Sequence, residues 1–193
     1  MLDDTTVRID TENLRDIYFA GGCFWGVEEY YARIPGVYDV TSGYANGDTE
    51  NPGYEQVCYG GMGHAETVHV RYDPKIVSLK TLTEQLFKII NPISLNRQGN
   101  DTGSQYRTGV YYVNASDEEV IRAVFDEVQK SYDERIVTEL LALENYYLAE
   151  DYHQDYLVKN PGGYCHIDFG SLEDVALEDA ATIAVEPAAS SKP

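Results

Sequence analysis

The stretch AGGCFWGVEEYY, residues 20–31, places Cys23 behind two glycines and ahead of Phe24 and Trp25. Cysteines that act only as small hydrophobes sit among aliphatic side chains. A cysteine where a glycine turn opens into a helical pattern instead meets unpaired backbone N–H groups and the positive end of a helix dipole. Such a setting lowers a thiol pKa and makes the nucleophilic thiolate more available. Gly21 and Gly22 permit the tight turn that would present the sulfur outward. Phe24 and Trp25 cannot both face the core from adjacent helical positions, so one or both line a pocket beside the sulfur. The rival reading is a buried cysteine packed by aromatic rings, and the local sequence leaves both open.

A nucleophilic sulfur needs partners that handle protons. Two polar stretches supply them: NPGYEQVCYGGMGHAE (51–66) and NRQGNDTGSQYR (96–107) carry Tyr54, His64, Glu66, Asp101 and Tyr106. A carboxylic acid flanked by apolar rings is pushed toward its protonated form and can serve as a general acid. Taken singly, each of the five reads more simply as a loop hydrogen bond or a solvated charge. Together they form a constellation if both loops lie at the Cys23 end of a sheet. A cysteine hydrolase using Cys23 with His64 is one alternative, and a Tyr-rich peptide-binding module, motivated by 17 tyrosines, is another. The four histidines and three cysteines show no C-x-x-C or H-x-x-x-H spacing, so no metal is expected. Cys58 reads as a buried hydrophobe.

The elements that must position these groups are legible as periodic patterns. IYFAG (17–21) reads as a buried strand, and Val27, Tyr30, Tyr31 and Ile34 recur at helical spacing before IPG ends the run. VYDVTSGYA (37–45) is strand-like, NGDTENPGYEQV is turn chemistry throughout, and ETVHVRYDP alternates with Val68, Val70 and Tyr72 on one face. Ser78 is placed to cap a helix that buries Leu79, Leu82, Leu86, Ile89 and Ile90. Residues 91–107 form a long polar loop, TGVYYV is a further strand, and Ser116 with Glu119 forms a capping box ahead of Val120, Val124, Phe125 and Val128. The order β-α-β-β-α-β predicts an α+β two-layer sandwich, a ferredoxin-like core with helices over a mainly antiparallel sheet. Residues 1–16 read as a polar arm, 17–171 as the catalytic domain, and 172–193 as an acidic, Ala-rich, disordered tail whose removal after Ser171 is expected to be neutral.

Composition narrows the setting. With 14 Lys and Arg against 33 Asp and Glu the net charge is -19, which disfavours nucleic acid and anionic membranes. No apolar run approaches the ~20 residues of a membrane helix, and the acidic N-terminus lacks the pattern of a secretory signal. Three scattered cysteines do not make a disulfide scaffold, so a cytoplasmic protein with reduced thiols is expected.

Six blocks in order, GGCFWGVE, GYANG, NPGYEQVC, GHAETVHVRYDP, NRQGNDTGSQYR and EDYHQDYLVKNPGGYC, resemble the A-type peptide methionine sulfoxide reductases from about Tyr18 to Gly170. The resemblance implies reduction of the S epimer of methionine sulfoxide, free or in peptides and proteins. It implies no prosthetic cofactor, with thioredoxin, or dithiothreitol in its place, as reductant, and a monomer is expected. By motif, Cys23 matches the catalytic cysteine and Phe24 with Trp25 the wall that holds the substrate methyl. Glu66 matches the acid that protonates the sulfoxide oxygen, and Tyr54 and Tyr106 the hydroxyls on that oxygen. Asp101 matches a carboxylate that supports the site and binds substrate, and Cys165 the resolving cysteine. No cysteine follows Cys165 in this sequence, which implies a two-cysteine cycle.

Overall fold

The structure is a computed structural model, and it describes residues 9–172 and Val175. Strand β1 (Arg15–Gly21) leads through a two-residue turn into helix α1 (Phe24–Ala32), followed by β2 (Val37–Ala45), α2 (Tyr54–Tyr59), β3 (Ala65–Tyr72) and α3 (Leu79–Ile89). A two-residue hairpin, β4 (Arg97–Gln98) with β5 (Asp101–Thr102), precedes β6 (Thr108–Tyr112) and α4 (Asp117–Gln129). The chain ends in β7 (Glu139–Ala142), β8 (Tyr146–Leu148) and the short α5 (Tyr156–Lys159). The main sheet runs β7-β6-β1-β3-β2-β8, antiparallel at every pairing except β6 with β7. This is a mixed α+β fold on a mainly antiparallel sheet.

Helix α1 turns Val27, Tyr30, Tyr31 and Ile34 inward, each at most 2% exposed. Helix α3 lies beside it: the Tyr31 hydroxyl donates to the Leu82 carbonyl at 2.8 Å, and the Tyr30 hydroxyl to Gln85 Oε1 at 2.7 Å. Ser78 caps α3 by accepting the Thr81 amide at 3.0 Å, as its position predicts. Val68, Val70 and Tyr72 of β3 are all buried, as their alternation requires.

Four expectations need correction. The turn-rich stretch before residue 60 contains α2, because Gly53 adopts an extended N-cap conformation and its amide donates back to Gln56 Oε1 at 2.9 Å. That helix interposes between β2 and β3, so the expected six-element order is interrupted. The 91–107 loop likewise contains the β4–β5 hairpin. Ser116 makes no side-chain cap, since its own φ of -64° and ψ of -19° are helical whereas a capping serine needs an extended backbone. Asp117, Glu118 and Glu119 occupy the first turn of α4 instead, where the helix dipole favours them. The buried face of α4 is Ile121, Val124 and Phe125, leaving Val120 40% exposed.

Both domain edges also shift. The Asp10 amide donates to Asp73 Oδ2 at 2.8 Å, so the end of the N-terminal arm is docked. Val175 is 1% exposed within the main core cluster, Leu172 packs against that cluster, and Ser171 Oγ lies 2.7 Å from the Tyr30 hydroxyl. The packed domain therefore extends beyond Ser171, and the remainder of the expected tail lies outside the described residues. A fully buried valine contributes about 1.5–3 kcal/mol. Truncation after Ser171 is accordingly expected to lower the melting temperature by several degrees in a calorimetric scan, and truncation after Val175 to leave it higher than that. Equal melting of the two truncated chains would show that Val175 contributes nothing.

Candidate active site

Gly22 makes the entry to the site. Its φ of +88° is left-handed backbone, and a β-carbon there would lie 2.7 Å from Gln98 Cβ, so both backbone and space call for glycine. The turn delivers Cys23 to the N-cap of α1, where the residue is buried, 7% exposed, rather than presented outward. The expected depression of its pKa does not occur. Burial pushes the thiol well above its usual range, and the neighbouring Glu66 carboxylate, with Asp101 and Cys165 after it, adds to this. The helix N-terminus does act, through a backbone bond from Trp25 that favours the thiolate, but desolvation outweighs it.

Glu66 comes from β3, 42 residues along the chain, and is 1% exposed. Its Oε2 accepts the Phe24 amide at 3.1 Å, which fixes the carboxyl over the first turn of α1 beside Cys23. Burial raises its pKa to about 8 against the pull of that hydrogen bond, and Asp101 pushes it further up. The group is therefore mainly neutral at pH 7, a buried proton donor next to a buried thiol.

Tyr54 opens α2 and Tyr106 ends the 3-10 turn before β6. Burial lifts both phenols well above their usual range, so both hydroxyls stay protonated and can donate. Tyr106 feels the charges of Glu66, Cys58, Asp101 and Cys23, which places its hydroxyl among them. Tyr54 feels Cys58, Tyr106 and Glu66. Cys58 is half-buried, with Tyr54 and Gln105 beside its thiol, and not the buried hydrophobe expected. Asp101, at the start of β5, has a buried Oδ2 without a hydrogen-bond partner among the described residues, and its charge acts on Tyr164.

Cys165 reaches the site from the C-terminal segment. Its sulfur accepts the Ile167 amide at 3.4 Å and lies so close to α1 that a β-carbon on Gly26 would come within 2.8 Å of it. Gly26 stands three residues after Cys23, about 4.5 Å along the helix axis. The structure thus gathers Cys23, Phe24, Trp25, Tyr54, Glu66, Asp101, Tyr106 and Cys165 at one end of the sheet.

His64 goes elsewhere. Its Nε2 bonds Thr49 Oγ1 and the Thr49 carbonyl, each at 3.0 Å, and the ring abuts Gly47. A hydrolytic Cys23–His64 pair would need the imidazole at the sulfur, and no such contact occurs among the described residues.

Several neighbours were not singled out from the sequence. The Trp25 indole donates to His153 Nδ1 at 3.0 Å and stacks on Tyr156 at 3.7 Å between centroids. His153 is 1% exposed and also touches the Phe24 and Tyr54 rings. Glu150 accepts the Tyr44 hydroxyl and the Tyr54 amide, each at 2.8 Å, tying α2 to β2. The only sequence signal was the density of aromatic and polar residues in EDYHQDY, where Glu150 and His153 fall one helical turn apart.

Two thiols arranged around a neutral buried carboxyl define a thiol-dependent oxidoreductase. Residues 15–183 match the family model of Peptide methionine sulfoxide reductase. A Clostridium perfringens protein named Peptide methionine sulfoxide reductase MsrA is 58% identical over 154 residues, 80% of this chain and 98% of its own. Among solved structures, the reduced form of Mxr1 from Saccharomyces cerevisiae is 37% identical with a TM-score of 0.76, covering 83% of this chain and 93% of that one. Mxr1 in complex with Trx2 aligns at 26% identity and a TM-score of 0.54, covering 79% and 91%. The chain belongs to the A-type peptide methionine sulfoxide reductases, oxidoreductases that act on methionine sulfoxide. Among the described residues no helix is long and apolar enough to cross a membrane.

Proposed function

We propose that this chain reduces the S epimer of methionine sulfoxide, free and in polypeptides, through a sulfenic acid on Cys23. The reading rests above all on Glu66: a carboxyl 1% exposed, with a pKa of about 8, fixed by the Phe24 amide beside the thiol. Sulfoxide oxygen leaves sulfur only when protonated, and a neutral acid at that place supplies the proton. The Tyr54 and Tyr106 hydroxyls donate to the same oxygen as charge develops on it. Phe24 and Trp25 hold the methyl group, and the His153 bond and Tyr156 stack keep the indole in place. Asp101 accepts from the polar side of the substrate.

The Cys23 sulfur attacks the sulfoxide sulfur while its proton and that of Glu66 neutralise the departing oxygen. The oxygen passes to Cys23, methionine leaves, and Glu66 recovers its proton, so a thiol and a sulfoxide become a sulfenic acid and a thioether. The Cys165 thiol then displaces water from the sulfenic acid to form a disulfide. A thioredoxin dithiol exchanges with that disulfide and returns both thiols, consistent with the complex that Mxr1 forms with Trx2. Burial keeps the Cys23 sulfur protonated at neutral pH, so it carries its proton into the reaction. The strand order β6-β1-β3-β2, with α1 and α3 on its crossovers, supports a two-layer ferredoxin-like description of the core. We further read the chain as a cytoplasmic monomer.

A methyl-holding ring pair set against a directional acid is chiral, so one sulfoxide hand is expected to turn over. Separated S and R epimers of N-acetylmethionine sulfoxide, assayed with dithiothreitol, test this. Turnover of S alone supports the reading, and equal turnover of both or of R alone overturns it.

A further inference from the structure

Beside the site lies a groove of 440 Å³ lined by Asn51, Pro52, Gly53, Tyr147, Leu148 and Glu150. It neighbours the site: Glu150 in its lining accepts the Tyr54 amide at 2.8 Å. One wall is β8, which closes the main sheet and has β2 as its sheet neighbour. A sheet-edge strand is a place where an extended polypeptide can lie alongside. Leu148, 59% exposed, supplies an apolar contact there.

The charge around this groove has one sign. The two segments that build it, 46–60 and 142–156, contain Asp48, Glu50, Glu55, Glu144, Glu150, Asp151 and Asp155 and no lysine or arginine. The carboxylates that act on Cys58, Tyr152 and Tyr164 include Glu55, Glu150 and Asp101. Two cations touch these segments from outside: Arg107 donates to the Asn46 carbonyl and is paired with Glu139 at 3.1 Å, and Lys159 donates to the Gln154 carbonyl. Asp101 helps to keep Glu66 neutral, whereas Asp48, Glu50 and Glu55 are exposed and present a negative surface that attracts cations.

We infer that this groove docks the polypeptide flanking the oxidised methionine and selects segments carrying lysine or arginine two or three residues from it. An extended chain advances about 3.3 Å per residue, so a side chain two or three residues from the methionine stands about 7–10 Å from it. The cationic side chains extend over Glu50, Glu55 and Glu150, while the backbone follows β8. The inference rests on the function proposed above and concerns substrate choice within it.

The test uses the whole chain with dithiothreitol and two capped pentapeptides with central S-methionine sulfoxide, one with lysine and one with glutamate at both outer positions. At low salt the lysine peptide is expected to show about tenfold higher kcat/KM, falling toward equality in 1 M salt as screening shortens to about 3 Å. Glu50→Lys/Glu55→Lys is expected to reverse the ratio. Glu119→Lys/Asp126→Lys, an equal charge change on α4, is expected to keep the wild-type ratio. Equal kcat/KM for both peptides in the wild type, or the same ratio shift from the α4 pair, would overturn the inference. N-acetylmethionine sulfoxide serves as the control. Its turnover with no peptide preference sinks the groove alone, whereas absence of its turnover sinks the proposed function.

Discussion

Replacing Glu66 with Gln is expected to slow single-turnover reduction by roughly 10²–10⁴-fold while making the protein more stable. The amide keeps the shape of the acid and an oxygen to accept the Phe24 amide, now bonded at 3.1 Å, but has no proton to give. The stability gain follows from linkage. In the unfolded chain this carboxyl ionises near 4.5, whereas burial holds the native group protonated until about 8. Between those values the native state binds one proton more than the unfolded state, so stability falls as pH rises through the interval and levels off above it. At about 1.4 kcal/mol per pH unit, keeping this acid neutral at pH 7 costs about 3 kcal/mol. Glu66→Gln removes that cost, and its melting temperature should exceed that of the wild type at pH 7 and above and converge with it near pH 4.5. In the wild type the chemical step should weaken as pH climbs past about 8, because the donor loses its proton. A Glu66→Gln protein with a normal first turnover would assign the proton to another group. One that melts no higher than wild type would show that the buried carboxyl costs nothing.

Cys165→Ser is expected to separate the two halves of the cycle. The first equivalent of substrate should be reduced at nearly the wild-type rate, since Glu66, Tyr54 and Tyr106 are untouched. The enzyme should then stall with a trappable sulfenic acid on Cys23, and thioredoxin-dependent turnover should collapse. The geometry favours Cys165 over Cys58. Cys165 lies against Gly26 on the helix that Cys23 caps, within the influence that raises the Cys23 pKa. Cys58 stands on α2 with Tyr54 and Gln105 beside its thiol. Bond formation requires the sulfurs to close to about 2.05 Å, and the exposed stretch 160–162 ahead of Cys165 leaves room for that approach. Peptide mapping of oxidised wild-type protein checks the pairing directly. A Cys23–Cys58 linkage there, or sustained thioredoxin turnover by Cys165→Ser, would remove Cys165 from the role.

What the sequence determined by itself was whatever local pattern can express. Alternation placed Val68, Val70 and Tyr72 on one face of β3, helical spacing placed the buried faces of α1 and α3, and Ser78 marked a helix start. These are legible because burial of a strand or helix face imposes a period on adjacent residues. The motif blocks likewise named the residues that the fold brings to one end of the sheet. The faces failed where the pattern was shared between two possible stripes, as on α4, or where turn residues also suited a short helix, as in α2. Strands β7 and β8 depend on partners from 30 to 105 positions away, which no local window contains, and the hairpin of residues 97–102 pairs only two residues on each side, too few to impose a period.

Only the tertiary structure decided the chemistry of the groups. From sequence, Cys23 at a helix start should have had a lowered pKa, yet its surroundings in the fold raise it, because the desolvation imposed by residues distant in sequence exceeds the field of one helix end. Glu66 became an acid rather than a charge for the same reason: β3 carries it into a place water does not reach. The removal of His64 to Thr49, and the recruitment of His153 and Glu150 to Trp25, Tyr44 and Tyr54, are likewise consequences of packing across the sheet. Residue type sets which proton a side chain can hold, but the dielectric and the neighbours that fix when it lets go exist only once the chain has closed around it.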